Sequence, residues 1–284
     1  MDINEPKLNK EDVLKIDQRD FCAENICIVT GVGTGIGRAT AVAAAVNGLT
    51  VVGLDVDEEK GGETVAIAQE FGGRMIFRKT DLCEDDQVEE AVTEAAGLGN
   101  IRFLANIAGI QHIDSVENFP MEKYDYMQRL MLRAPFFLSK LTLPYMRKGT
   151  DGCGAIGNMC SVHGFISTLN KPVYNITKFG LRALTQSISA EGNGKIRSFT
   201  VSTGFVKTPL ALNQIPAQAD QRGITEEAVV HDVMMGFSRV KEMMSPMEVA
   251  NLFVFGFSKH AKYLVGGDLL FDGGMLKTYA ENKT

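Results

Sequence analysis

The chain has 284 residues, 45% of them apolar, ample for one α/β domain with a sizeable core. A net charge of -6 without any dense run of lysine and arginine argues against a nucleic-acid surface. No segment approaches the roughly 18 apolar residues that a membrane span requires.

Residues 1–23 carry charges throughout and no apolar stretch, so they read as a polar extension and not as a signal peptide. Within residues 24–284, near-continuous apolar runs alternate with amphipathic ones. That is the pattern of a buried parallel sheet with helices on both faces. Asn25 to Thr30 reads as the first strand, followed by GVGTGIG and a helix over 38–48. Strands are expected at 49–56, 74–82 and 101–109, with helices at 58–72 and 85–99 between them. A helical region from Met121 to Arg147 is expected to be interrupted at Pro135. Two further strands, 153–161 and 195–204, flank a helix over 173–191. Residues 205–244 hold no convincing strand and read as an excursion of short helices, a candidate substrate lid. Ser245-Pro246-Met247-Glu248 has the form of a capping box with proline at the first helical position. Residues 266–274 close the chain as a seventh strand. The expected fold is therefore a single-domain Rossmann fold, a doubly wound, seven-stranded parallel sheet.

Five cysteines, Cys22, Cys27, Cys83, Cys153 and Cys160, lack CxxC spacing and read as the reduced thiols of a cytoplasmic protein. No cluster of cysteine, histidine and carboxylate has metal-ligand spacing, so no catalytic metal is expected.

Thr30-Gly31-Val32-Gly33-Thr34-Gly35-Ile36-Gly37 joins the first strand to an alanine-rich helix. Glycines there permit a tight turn and let a pyrophosphate approach the backbone, where free N–H groups at a helix start await an anion. Asp55, at the end of the next strand, suits the ribose hydroxyls of an adenosine and would repel a 2′-phosphate. No lysine or arginine stands within the loop to offset it, so NAD is expected over NADP.

Tyr174 and Lys178 are four residues apart in a helical segment and share one face. Ser161 ends a predicted buried strand thirteen residues before the tyrosine. A strand's carboxyl end and the following helix can therefore gather a hydroxyl, a phenol and an ammonium.

With these motifs, Asp81 after the third strand, Asn106-Ile107-Ala108-Gly109 after the fourth and Thr203 to Thr208 after the sixth, the chain resembles the short-chain dehydrogenase/reductase family over residues 24 to 276. The resemblance implies that Tyr174 exchanges a proton with the reacting oxygen, that Ser161 holds that oxygen, and that Lys178 holds the nicotinamide ribose. The ammonium of Lys178, with the positive nicotinamide, is expected to lower the phenol's pKa from its ordinary value of about 10. The cofactor set implied is Gly31, Thr34, Gly35, Ile36, Gly37, Asp55, Asp81, Leu82, Asn106, Ala108, Gly109, Tyr174, Lys178, Gly204, Val206 and Thr208. A homotetramer is implied as well. The chain departs from the family at Met131, where an asparagine is usual, and at Thr203, where proline is common.

At Gly109-Ile110-Gln111-His112, Ser161-Val162-His163-Gly164, Asn170-Lys171 and Thr208-Pro209-Leu210 the sequence also resembles, within that family, the bacterial 3-hydroxybutyrate dehydrogenases. That similarity implies a carboxylate site made of Gln111, His163, Lys171 and Gln214, with Ser161 on the reacting oxygen. Two amides and an imidazole can donate hydrogen bonds to a small anion, and an ammonium adds charge. The expected reaction is the reversible, NAD-linked oxidation of a short 3-hydroxy acid. Reduction of a 3-oxoacyl-CoA is the alternative, with Met234, Met235, Met243 and Met244 as a flexible lid over a larger substrate. An NAD(H)-binding protein of weak activity is a third reading, supported by Met131 alone.

Overall fold

Side chains along β1 (Asn25–Thr30) alternate between two helical layers. Ile26 and Ile28 join one apolar cluster, Cys27 and Val29 the other. Residues 4–278 are described by a computed structural model. In chain order come α1 (Gly35–Val46), β2 (Thr50–Asp55), α2 (Glu58–Glu70), β3 (Arg74–Lys79), α3 (Asp85–Leu98) and β4 (Asn100–Asn106). Then follow α4 (Met121–Gln128), α5 (Ala134–Lys148), β5 (Gly154–Met159), α6 (Pro172–Glu191) and β6 (Ile196–Thr203). Short helices α7 (Pro209–Leu212), α8 (Ile215–Arg222) and α9 (Glu226–Ala228) precede α10 (Pro246–Phe257) and β7 (Asp268–Phe271).

The seven strands are parallel, in the order β3-β2-β1-β4-β5-β6-β7. Helices α1 and α10 cover one face, and α3, α5 and α6 the other. The order reverses between β1 and β4, and a doubly wound sheet opens its ligand crevice at such a point. The doubly wound Rossmann fold read from the sequence is the fold observed.

Several expected strands end two or three residues early: β3 at Lys79, β4 at Asn106 and β5 at Met159. The apolar residues beyond these ends leave the ladder and line the crevice, so their hydrophobicity does not report strand. Pro135 does not interrupt the helix. A π-helical turn over Arg129–Arg133 leads directly into α5. Proline offers no N–H to the carbonyl four residues back, and the wider turn relieves the clash of its ring. The capping box at Ser245 and Glu248 is formed.

Residues read as a polar extension lie along the α1/α10 layer. Val13 and Phe21 are buried in its core cluster. Asn251 accepts the N–H of Leu14 at 2.8 Å, and Asn47 accepts that of Ile16 at 2.8 Å. In the 205–244 excursion, Met234, Met235 and Met243 pack with Ile215, Val229 and Val230 into a small core of their own. Among the described residues, no helix is long and apolar enough to cross a membrane.

Candidate functional site

At the carboxyl ends of the strands, a cavity of about 330 Å³ opens over the β1/β4 crevice. Its walls include every expected catalytic, cofactor-binding and substrate-binding residue except Asn106. That residue sits just beneath. Its amide donates to Asn158 at 2.8 Å, and its own carbonyl oxygen is buried without a partner.

The loop after β1 is built for close approach. Gly31 has φ of 73°, and a Cβ there would meet the Ala108 backbone at 2.9 Å. A Cβ on Gly37 would lie 1.9 Å from the Gly31 carbonyl, so any larger residue would force loop and helix apart. The hydroxyl of Thr30 accepts the N–H groups of Ile107 at 2.9 Å and Ala108 at 3.1 Å, tying this loop to the end of β4. Helix α1 has no acidic residue in its first turn, and its N-cap Thr34 makes no side-chain cap. The helix start thus offers the N–H groups and positive dipole end that suit a phosphate. Gly35 already donates its N–H to the Glu5 carboxylate at 2.7 Å.

Asp55 ends β2 with one oxygen on the N–H of Gly33 at 2.8 Å and the other on that of Asp57 at 3.0 Å. The neighbouring cations are paired. Arg38 meets Glu63 at 2.7 Å, and Lys60 meets Asp57 at 3.3 Å. Asp81 accepts the N–H of Cys83 at 2.9 Å, shaping the turn that carries Leu82. From β6, Gly204, Val206 and Thr208 complete this side, and the Thr208 methyl faces Gly35. Dinucleotide chemistry fits these residues: an anion cradle at one end, a carboxylate for hydroxyls, and an apolar cleft between.

Deeper in, Ser161 leaves β5 as the N-cap of a short 3-10 turn, and α6 presents Tyr174 and Lys178 one turn apart. Lys178 is buried and donates to the Met159 carbonyl at 2.7 Å, and burial lowers its pKa to about 8. Tyr174 is half-buried and lines the cavity. Its pKa is pushed up by burial, while the neighbouring Ser161 hydroxyl pulls the other way. The expectation that Lys178 would make this phenol acidic is therefore corrected for the protein by itself. The ammonium lies 5.2 Å from the ring centroid, with its hydrogen bond on Met159, and burial wins.

Of the expected substrate set, Lys171 is half-buried at the start of α6 and makes no ion pair among the described residues. Burial lowers its pKa. The Gln111 amide nitrogen and the Gln214 amide oxygen are buried without partners. His163 stands in the same wall, but both of its ring nitrogens are engaged, with Ser161 at 3.1 Å and Thr168 at 2.9 Å. Met131, fully buried, accepts the Ile110 N–H on its sulfur at 3.4 Å, underneath the loop that carries Gln111. None of Met234, Met235, Met243 and Met244 lines this cavity.

Sequence reasoning missed Glu5, Thr30 and Thr168. Only the ligand-free side of the Gly-rich motif hinted at Thr30. Glu5 lies thirty residues from its partner, and Thr168 sits in an exposed loop without any motif.

A family model described as enoyl-(acyl carrier protein) reductase matches residues 31–276. The D-beta-hydroxybutyrate dehydrogenase of Rhizobium meliloti is 30% identical over 251 residues, covering 87% of this chain and 96% of that protein. A 3-oxoacyl-(acyl-carrier-protein) reductase of Thermotoga maritima is 28% identical over 253 residues, covering 88% and 97%. Among solved structures, a putative NAD(P)-dependent gluconate 5-dehydrogenase from Beutenbergia cavernae, with NADP bound at low occupancy, superposes with a TM-score of 0.81. It is 24% identical and covers 91% of this chain and all of that one, so it supports the fold.

Proposed function

The chain belongs to the short-chain dehydrogenase/reductase family, and within it we propose that the protein reversibly oxidises a short 3-hydroxy acid with NAD, with (R)-3-hydroxybutyrate and acetoacetate as the pair. That it is an NAD(P)-dependent oxidoreductase follows from the family. The acid substrate rests on one observation: Lys171, half-buried and without an ion pair among the described residues, shares the cavity wall with the unpartnered amide nitrogen of Gln111. An ammonium in that setting gains most from a carboxylate, which also accepts the free amide N–H of Gln111. The choice of NAD rests on Asp55, because the cations beside it are already neutralised by Glu63 and Asp57.

The bound nicotinamide supplies the hydride acceptor or donor. The protein's own residues handle the proton and the geometry. Lys171 and Gln111 hold the carboxylate, joined by Gln214 once its amide leaves the Leu210 carbonyl, and so set which hydroxyl reaches Ser161. Ser161 fixes that oxygen by a hydrogen bond, and Tyr174 takes or gives its proton. Lys178, held by the Met159 carbonyl beside the Tyr174 ring, would hold the nicotinamide ribose. The apolar walls at Ile107, Leu130 and Val206 exclude water and strengthen these polar contacts.

We also infer a homotetramer. Phe136 and Tyr145 on α5, Ile176 and Phe179 on α6, and Phe271 on β7 are exposed apolar side chains on faces that the sheet leaves uncovered. Light scattering on the purified protein tests this, and a monomer would refute it.

The substrate reading is tested by turnover with acetoacetate and with acetoacetyl-CoA, each with NADH. A higher kcat/KM for the free acid is expected. Preference for the thioester would instead place the protein with the Thermotoga maritima reductase in substrate.

A further inference from the structure

We propose that His163 is a positioning residue: Thr168 fixes its tautomer, and that tautomer commits the single hydroxyl proton of Ser161 to the reacting oxygen. This rests on the reading of Ser161 as the holder of that oxygen, and deepens it. Two groups of His163 meet Ser161 Oγ. The backbone N–H donates to it at 3.3 Å, and ring Nδ1 lies 3.1 Å away. On the far side of the ring, Nε2 lies 2.9 Å from the hydroxyl of Thr168. Ser161 and His163 are buried, whereas Thr168 is exposed.

A hydroxyl has one proton to give and two lone pairs to fill. A neutral imidazole has one N–H, and the hydrogen bond at one nitrogen settles which of the two carries it. With the proton on Nδ1, that N–H and the backbone N–H fill both lone pairs of Ser161. Its hydroxyl proton then has no other acceptor among the described residues and points into the cavity that Ser161 lines. Donors on both lone pairs also polarise the hydroxyl and make it a better donor. With the proton on Nε2 instead, bare Nδ1 draws the hydroxyl proton to itself. Ser161 would then turn a lone pair toward a carbonyl oxygen, which has only lone pairs of its own. The first arrangement holds the reacting oxygen, and the second repels it.

Thr168 decides between them. Its hydroxyl sits at the surface, where water can donate to its oxygen while its own proton goes to Nε2. The loop that carries it is anchored. Asn175 on α6 donates to the Thr168 carbonyl at 3.4 Å, and Asp114 donates its N–H to the Asn170 carbonyl at 2.9 Å. The ring is held as well. It meets Tyr174 edge-on with centroids 5.5 Å apart, and Arg182 donates to the adjoining Gly164 carbonyl at 2.8 Å. Burial, and then the charges of Lys171 and Lys178, lower the pKa of His163 to about 4, so the ring stays neutral with one proton to place. His163 therefore acts on the substrate through Ser161 and not by direct contact.

Thr168→Val tests it, because an exposed site of similar shape leaves the fold intact. Nitrogen NMR of the cofactor-free protein at neutral pH should show the His163 proton on Nδ1, and on Nε2 in Thr168→Val. The variant's kcat/KM for carbonyl reduction should fall roughly five- to tenfold, the worth of one neutral hydrogen bond, with NADH binding unchanged. Thr168→Ser should restore both the tautomer and the rate. In a Ser161→Ala background, Thr168→Val should have no further effect, since no hydroxyl is left to misdirect. A merely structural Thr168 would cost the same in both backgrounds. A proton on Nε2 in the unaltered protein, an unchanged kcat/KM in Thr168→Val, or the same loss in the Ser161→Ala background would each overturn the proposal. Full turnover in Ser161→Ala would also overturn it by removing Ser161 from the reaction, and the NMR signal tells that failure from a wrong tautomer. If acetoacetate is not turned over, the same measurements are made with whichever carbonyl compound is, so the substrate reading can fail alone.

Discussion

Glu5 accepts the N–H of Gly35 at 2.7 Å, placing a carboxylate on the first turn of α1, within the Gly-rich cradle. A phosphate oxygen would seek the same donor. Residues between Glu5 and β1 are held to the domain by Asn47 and Asn251, so this carboxylate is kept near its site. Glu5→Ala should therefore tighten NADH binding by a few-fold, the scale of an exposed charge at a helix start. Fluorescence titration reads it, and weaker binding in the variant would show that Glu5 supports the loop.

Tyr174→Phe should lower turnover by roughly a hundredfold or more while sparing NADH binding, since only the proton-bearing oxygen is removed. Retained activity would remove the phenol from the chemistry altogether.

Lys178 offers a pH test with a definite sign. Its folded pKa of about 8 lies below the ordinary lysine value of 10.5, so at neutral pH the fold carries a buried charge that the unfolded chain hydrates. Between pH 8 and 10.5 the unfolded state binds more protons, and stability rises with pH across that window. Lys178→Met should thus be inactive yet more stable at pH 7, by on the order of 3 kcal/mol. That advantage should shrink as pH approaches 10. Thermal melts of both proteins at several pH values decide it. A variant less stable at pH 7 would mean that the bond to Met159 outweighs the cost of burial.

Lys171→Ala should raise KM for acetoacetate ten- to a hundredfold, the loss of one charge-assisted contact, with little change for acetoacetyl-CoA. Equal effects on both would separate Lys171 from the carboxylate.

Asp55→Asn should narrow the preference for NAD over NADP, because the repulsion of a 2′-phosphate goes with the charge. Measured as the ratio of the two kcat/KM values, no change would place the discrimination elsewhere.

Much of this was legible in the residues themselves. The continuous apolar run of β1, the Gly-rich turn and the Ser161, Tyr174 and Lys178 spacing are local patterns, and each maps onto one element or one junction. The strand ends were misjudged at Lys79, Asn106 and Met159, since an apolar residue is equally at home in a sheet or in a cavity wall. Pro135 misled for a related reason. A proline's effect on a helix depends on whether the turn before it can widen.

By itself, then, the amino-acid order determined the doubly wound sheet, the Gly-rich turn at the crevice and the grouping of Ser161, Tyr174 and Lys178. Only the tertiary structure decided which charges face one another across it. Glu5 on Gly35, His163 between Ser161 and Thr168, and an unpaired Lys171 beside two unsatisfied amides depend on where loops return. The physical reason is range. Periodicity records which face of an element is buried, whereas a pKa or a tautomer depends on neighbours brought together by packing.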